Sequence, residues 1–523
     1  MIPAPAIVVF IYLAIVIYIG VFAFRKSKPS SEDYFLASRS LGPYVFLLSL
    51  FGTNMTAFAI LGSSGLAYQR GIGVYGLMAS ASCFVIPLSI FFIGTRLWAL
   101  GKRFGHMTQV QYFRDRWECS GVGTVIFILT AAMLVPYIII GVMGGGQTLK
   151  AISNGYVSYE IGGAIVAMVV MTYVFFGGMR GTAWVNTFQT ILFLSFGTLA
   201  FFFISRSLGG FDQVIERLAQ SPKTASLLTR QRIPMEEFFS YSLIPLSSIM
   251  FPHIAIMCMT AKKVTAFKQT VVFYPICIML IWLPSVYLGV IAADKFPGLK
   301  AGESDDVILR MLAANTDVWL AGILGAGIMA CVMASDSQIL ALCTMFTEDI
   351  FAYYGGKERF GEKVQVWTGR AFVVGITIVA YFVALKLKDK TGIFELAIRF
   401  AFSGFAAMAP VMLAALFWKR STKWGALLAT LWVAATMIGS WYLYDSTSAL
   451  KPGQPPMAIF PSLGNMFLRT TGNITIYGYL PVVPMCIGSA ILVVIGSLFT
   501  SPPSQVTLNK YFPSKHVPSS PSY

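Results

Sequence analysis

Long apolar blocks separated by short polar stretches run along almost the whole chain. About 20 apolar residues in helical form cross a bilayer core. Thirteen blocks reach or approach that length, at 7–24, 44–67, 74–98, 122–143, 161–179, 182–204, 239–259, 270–292, 318–345, 371–387, 393–418, 424–444 and 479–498. Each is predicted to be a helix, because lipid offers no partner to a free backbone group. The pattern therefore predicts an all-α polytopic membrane protein of about 13 transmembrane helices, with residues 1–500 as one transmembrane domain. The connection 205–238 is the longest polar one before the C-terminal third. It separates 44–204 from 239–418, two five-helix units that begin on opposite sides of the membrane, which is the layout of an inverted repeat. Helices 7–24, 424–444 and 479–498 flank them. Residues 501–523 are rich in Pro and Ser and are expected to form a disordered cytoplasmic tail.

Composition agrees with this pattern. Of 523 residues, 56% are hydrophobic and 11% charged, about half the charge of a soluble domain. The net charge of +16 would suggest nucleic acid in a soluble protein. Here it marks cytoplasmic loops instead. With the N-terminus outside, the inner segments carry 21 Lys and Arg and the outer ones 15. Ten of those fifteen lie in long loops, where the rule is weak. The expectation is a multi-pass protein of the cell (plasma) membrane, N-terminus outside and C-terminus cytoplasmic, partnered by lipid and not by nucleic acid. No obligatory protein partner is evident. The first block lacks a basic leader and a small-residue cleavage site, so it reads as a retained helix. Seven cysteines stand apart with no C-x-x-C pair, and they read as small core residues rather than ligands.

Polar residues inside spans are costly, so each is a candidate. The second span contains Gly52-Thr53-Asn54-Met55-Thr56, and a break there would free carbonyls to hold a cation. A small-residue packing face is the alternative. The ninth span contains Ala334-Ser335-Asp336-Ser337-Gln338. Asp336, the one acid in the middle of a long apolar span, would cost about 2.5–3.5 kcal/mol ionised and unpaired. It must meet a cation, take up a proton or face water, unless it serves as a structural cap. Thr182, Asn186 and Gln189 share one face of the sixth span, either opposite Asp336 or as a polar packing stripe. Pro245, Ser247, Ser248, Pro252 and His253 predict an irregular seventh span. His253 is either a hydrogen-bonded structural residue or a proton carrier. Glu395 and Arg399 form an i,i+4 pair, either an interfacial salt bridge or a guard on an anionic path.

These residues sit within a wider resemblance. Ser31-Glu32-Asp33-Tyr34-Phe35-Leu36-Ala37-Ser38-Arg39-Ser40-Leu41-Gly42 resembles the D-Y-F-L-A-G-R-x-L-G hallmark of the sodium:solute symporter family, which includes bacterial proline and galactose symporters. Gly177-Gly178-Met179-Arg180 resembles its Gly-Gly turn, and Thr347-Glu348-Asp349-Ile350-Phe351 its T-E-D-L-Y element. Pro252-His253-Ile254 with Ala261-Lys262 also matches, and the likeness spans about residues 5–500. It implies a LeuT-type 5+5 inverted repeat working by alternating access. The family's main sodium site, carried over, places carbonyls on Gly52, Met55 and Ala330. Its two hydroxyl positions fall on Met333 and Ala334, which have no hydroxyl and supply nothing a hard cation wants. In the family's second ion site the Asp position reads Asn186, and the hydroxyl positions read Asp336 and Ser337. The carboxylate has moved across the interface.

The function expected is symport of a small organic solute with sodium. A proton carried by Asp336 is the alternative, and a non-transporting membrane sensor a further one. Asn54, Thr56, His253 and Arg399 are the candidate solute contacts, and Arg399 with the family's range favours a carboxylate or amino acid. No cofactor is expected beyond the coupling ion, Na+ or H+. Enzymatic haem or metal chemistry needs several His in spans, and only His253 lies in one. A channel would need rings of charge or a filter motif.

Overall fold

The computed structural model describes residues 3–26, 28, 30–300, 303–388, 392–448, 450, 454–470 and 472–513. Among them nine helices are long and apolar enough to cross a membrane, or eleven spans with each of two bent pairs taken as one. The shorter apolar helix Val482–Leu498 carries the last predicted block. All thirteen predicted blocks fall on helix, apart from the breaks and a few end residues.

Predicted spans five and six lie on one helical run, Tyr159–Ser207, of 49 residues. That length corresponds to about 73 Å at 1.5 Å per residue, more than twice a bilayer core. The helical path is interrupted at Gly178, with φ 50° and ψ −146°, a conformation open in practice only to glycine. The run therefore holds two crossings that meet at Gly178. Asp33 pins this corner. Its carboxylate accepts from Arg180 Nη2 at 2.6 Å, Ser38 Oγ at 2.7 Å and Lys28 N at 2.8 Å. Burial opposes ionisation of Asp33, but these bonds outweigh it and hold the carboxyl below its usual range. Tyr34 Oη donates to Val174 O at 3.2 Å. The hallmark loop and the Gly-Gly turn are thus one structural unit.

Two spans are bent. Pro43–Asn54 meets Phe58–Arg70 at 58°, and Met235–Met250 meets Pro252–Met259 at 46°. At the second break Phe251 adopts φ −57° and ψ 119°, since the residue before proline is pushed out of the helical region. At the first break Met55 is extended, with φ −105° and ψ 102°. A small antiparallel sheet adds to the helical architecture. Its strands Met457–Ala458, Phe467–Arg469 and Ile474–Ile476 pair in chain order between the last two predicted spans. Strands of two or three residues show no alternation to read.

The expectation of disorder from residue 501 is corrected for 501–513; residues 514–523 lie outside the described residues. Gln505–Tyr511 is a helix capped by Ser504, whose side chain accepts from Thr507 N. Lys510 Nζ and Tyr511 Oη both donate to Asp115 Oδ2, and Tyr511 Oη lies 3.0 Å from His106 Nε2. Glu118 accepts from Ser504 and Thr507. Proline and serine content suggested solvation, but buried Tyr511 supplies an apolar anchor that composition alone does not weigh. Burial pushes the His106 imidazole down to about 4, with Lys510 and Arg39 adding to the shift and Asp115 opposing it. A base lowered in this way contributes stability above its free value near 6.5 and loses it as pH falls toward the folded value. Lowering the pH from 7 to 5 is therefore expected to weaken docking of this strap. Amide hydrogen exchange of the 105–119 loop reads the change, and His106→Gln should abolish its pH dependence.

Candidate ion and solute site

Asp336 is fully buried in the ninth span, at the start of the helix Asp336–Met345. Three donors converge on it. Tyr173 Oη donates to Oδ2 at 3.0 Å, while Ser337 Oγ at 3.0 Å and Asn186 Nδ2 at 3.2 Å donate to Oδ1. Asn186 Nδ2 also reaches Ser337 Oγ at 2.7 Å and Thr53 Oγ1 at 3.2 Å, and those two hydroxyls are 2.9 Å apart. Charge-assisted bonds of this kind contribute roughly 1.5–3 kcal/mol each, enough to hold a carboxylate that lipid would reject. The other amide atom, Asn186 Oδ1, is buried with no donor among the described residues. Rotation of that amide exchanges its oxygen and nitrogen and turns four oxygen-bearing groups on one point: Asp336, Ser337, Thr53 and Asn186. Asp336, Ser337 and Asn186, drawn from two spans, are therefore brought together, and Thr53 of the broken helix joins them.

Close packing makes this possible. A Cβ on Gly52 would lie 2.4 Å from Thr190 Oγ1 and 3.1 Å from Asn186 O, so only glycine lets the broken span approach the sixth this closely. Gln338 Nε2 donates to Thr53 O at 2.9 Å, tying the ninth span to the break. Gln189 instead donates to Tyr12 Oη of the first helix at 3.0 Å.

The carried-over carbonyl set is arranged differently. Met55 and Ala330 are buried near the break, but Cys331 Sγ sits 3.6 Å from Met55 O and 3.2 Å from Thr56 O and donates toward them. Gly52 O accepts from Met55 N at 3.1 Å within its own helix. Met333 and Ala334 are buried, and their side chains have no oxygen to offer.

A cavity of about 40 Å³ opens beside Asn54, between the two bent spans, and is bordered by Met55, Phe58, Ser248, Phe251 and Trp282 among others. Asn54 Nδ2 donates to Tyr274 Oη at 2.7 Å, and Asn54 O accepts from Tyr137 Oη at 3.1 Å. Thr56 and His253 are buried just outside this wall, the imidazole 4.7 Å from the Phe251 ring and 5.6 Å from Tyr137. Tyr241 borders this cavity and also a larger one of about 300 Å³ lined by Arg70, Glu237 and Glu395. The Phe394 ring stacks on Tyr241 at 6.1 Å and on Phe58 at 5.0 Å between them.

Arg399, expected as a solute contact, does not border this cavity. It donates to Gly472 O and lies 3.4 Å over the Tyr444 ring, away from the cavity. Nor does it pair with Glu395 among the described ion pairs. Residues Ala397–Phe402 are π-helical, and a wider turn rotates position 399 off the face that 395 occupies. Tyr173, Tyr274, Tyr137 and Trp282 were missed because an isolated aromatic in an apolar run gives no periodic signal. Thr53 lay inside the quoted polar stretch without a role.

The sodium:solute symporter family model matches residues 34–433. The sodium/proline symporter of Escherichia coli K12 is 27% identical over 495 residues, 88% of this chain and 94% of that protein. The sodium/proline symporter of Staphylococcus aureus USA300 / TCH1516 is 25% identical over 448 residues, covering 82% and 85%. Among solved structures, a Na+-coupled sialic acid symporter in a substrate-bound outward-open state superposes with TM-score 0.73 at 14% identity over 96% of this chain and 99% of that one. Mhp1, of the nucleobase-cation-symport-1 family, gives 0.57 at 12% identity, covering 91% and 95%. With this match and this geometry, the chain belongs to the sodium:solute symporter family and is a LeuT-type membrane symporter of small solutes with sodium.

Proposed function

We propose that the chain moves a small organic solute across the plasma membrane with one sodium ion, held by Asp336, Ser337, Asn186 and Thr53. The observation that carries this reading is the fully buried carboxylate with two hydroxyls and an amide around it. Sodium takes hard oxygen ligands, and these side chains supply them beside the broken second span. Neighbouring residues of the broken span link ion to solute: Thr53 belongs to the ion cluster and Asn54 borders the cavity. The second carbonyl set, at Gly52, Met55 and Ala330, is offered no role, because Met333 and Ala334 lack a side-chain oxygen and Cys331 already donates into it. The units 44–204 and 239–418 form the two repeats in this reading, each opening on a bent span. Basic-residue bias supports an external N-terminus and a cytoplasmic C-terminus. The chain acts as a carrier and not as an enzyme.

The same carboxylate is suited to carry a proton, which makes proton symport the second reading. Purified protein in liposomes separates the two. An imposed sodium gradient at fixed pH is expected to drive uptake, with one sodium entering per solute by isotope counting. Uptake driven by a pH gradient in sodium-free buffer transfers the coupling to a proton on Asp336. A count of two sodium ions restores a role to the carbonyls of the broken span.

A further inference from the structure

We infer that a cavity at the C-terminal end of the first helix binds the phosphate of an anionic phospholipid, and that Arg370, Lys28 and Lys363 recognise it. The cavity holds about 300 Å³ and shares no lining residue with the one beside Asn54. Lys28 follows the helix Ala4–Phe24, while Lys363 and Arg370 lie on the helix Gly356–Leu387. Arg370 directly precedes the apolar block 371–387, so the cavity stands at the depth where lipid headgroups begin. Basic-residue bias assigns this end to the cytoplasm, the side on which the membrane surface is negatively charged.

Arg370 is held in place without being neutralised. Its guanidinium carbon lies 5.2 Å from the centre of the Trp367 ring, 5.4 Å from Tyr34 and Phe175, and 5.8 Å from Phe24. No carboxylate pairs with it among the described ion pairs. Arg180 on the same side has Asp33, and Arg39 has Glu32. The neighbours of Arg370 are instead ring faces and the Tyr34 hydroxyl, which fix a cation and leave its charge uncancelled. Glu362, the one acid on the wall, is engaged by Ser31, accepting from its N and Oγ at 2.7 Å each. Three cations thus face one committed carboxylate. A guanidinium fork matches phosphate oxygens with parallel hydrogen bonds.

The rim chooses between a lipid and a soluble anion. Trp367 is 59% exposed and Phe24 40%, and both border the cavity. Exposed rings at this depth belong to the headgroup layer, where they meet the glycerol and upper acyl chains of a lipid. A free phosphate would use the charges and leave the rings without a partner.

The test is thermal unfolding of the purified full chain in uncharged detergent. It is titrated with dioleoylphosphatidylglycerol, dioleoylphosphatidylcholine or inorganic phosphate. The two lipids share their acyl chains and differ in headgroup charge. Phosphatidylglycerol is expected to raise the midpoint in a saturable way, as a ligand of the folded state does, and the other two are not. Lys28→Gln combined with Lys363→Gln should weaken its apparent affinity by about 30-fold, the scale of two charges at an anionic surface. Both side chains are exposed, so the fold tolerates the change. Lys262→Gln with Lys263→Gln removes two exposed charges that do not border this cavity and should leave the affinity unchanged. Arg370→Lys keeps the charge and loses the fork, and should cost about 10-fold, the scale of one charge-assisted hydrogen bond. Equal losses in the two double variants mean diffuse attraction to a basic face and overturn the site. So does unchanged affinity in the Lys28 and Lys363 double variant or in Arg370→Lys. Stabilisation by inorganic phosphate gives the cavity to a soluble anion, and stabilisation by phosphatidylcholine to lipid of any charge. Either result overturns the inference, as does no response to phosphatidylglycerol.

Discussion

Asp336→Asn should reduce sodium-driven accumulation by about 100-fold or more while the protein still reaches the membrane. The substitution keeps the size of the side chain and removes one charge. The amide can still accept from Tyr173 or Ser337, so packing at a site with no exposed surface is preserved. What is lost is the negative charge facing the cation. In a dry site a charge-assisted interaction contributes about 3 kcal/mol, and that is a hundredfold in affinity. Uptake of labelled solute against its gradient, normalised to membrane abundance by immunoblot, measures the effect. Near-normal accumulation would remove Asp336 from the coupling mechanism. Solute exchange without a sodium gradient should be retained better than accumulation, because exchange needs the cavity more than the driving ion.

The second large effect concerns folding. Gly178→Ala should leave little protein in the membrane. Residue 178 sits at φ 50° and ψ −146°, where a Cβ costs about 1–3 kcal/mol in backbone strain. That Cβ would also lie 2.5 Å from the carbonyl oxygen of Tyr34, adding about 1–3 kcal/mol of overpacking. A loss of this size is a large part of a typical folding free energy. Gly375→Ala is the control. It lies inside the helix Gly356–Leu387 with open space around it, and alanine there should be neutral or stabilising by roughly 0.5–1 kcal/mol. Membrane abundance of the two variants, measured side by side, checks both expectations. Equal abundance would mean the corner at residue 178 tolerates a side chain.

How much could be read beforehand followed from which signals are local. Spans are continuous apolar runs, and all thirteen blocks lie on helix. Breaks are marked by Pro252 and by Gly52 with its polar neighbours, and both bent spans were foreseen. Asp336 announced itself by its cost in lipid, and Asn186 by its place on the facing helix. Residues whose meaning depends on distant partners were not legible. Tyr173 is 163 positions from the carboxylate it serves, and nothing near it in the chain says so. The pairing of Glu395 with Arg399 was not legible for a related reason: a π-helical turn changes which way position 399 faces, and i,i+4 reasoning assumes a uniform α-helix. The T-E-D element found its explanation only in three dimensions. Asp349 accepts from Thr108 at 2.9 Å and Glu348 from Gln365 at 2.6 Å, contacts that composition does not signal.

The strap Gln505–Tyr511 also sets an order of events during synthesis. Tyr511 closes on Asp115 across 396 residues, so the 105–119 loop leaves the ribosome long before its cover exists. At about 5–20 residues per second the wait is roughly 20–80 s. Throughout that interval Asp115, Glu118 and His106 lack these partners, and His106 is buried under Tyr511 only once residue 511 has emerged. Closure of the strap thus marks a chain translated through to that point. A nascent chain stalled anywhere earlier would leave the 105–119 loop without these contacts.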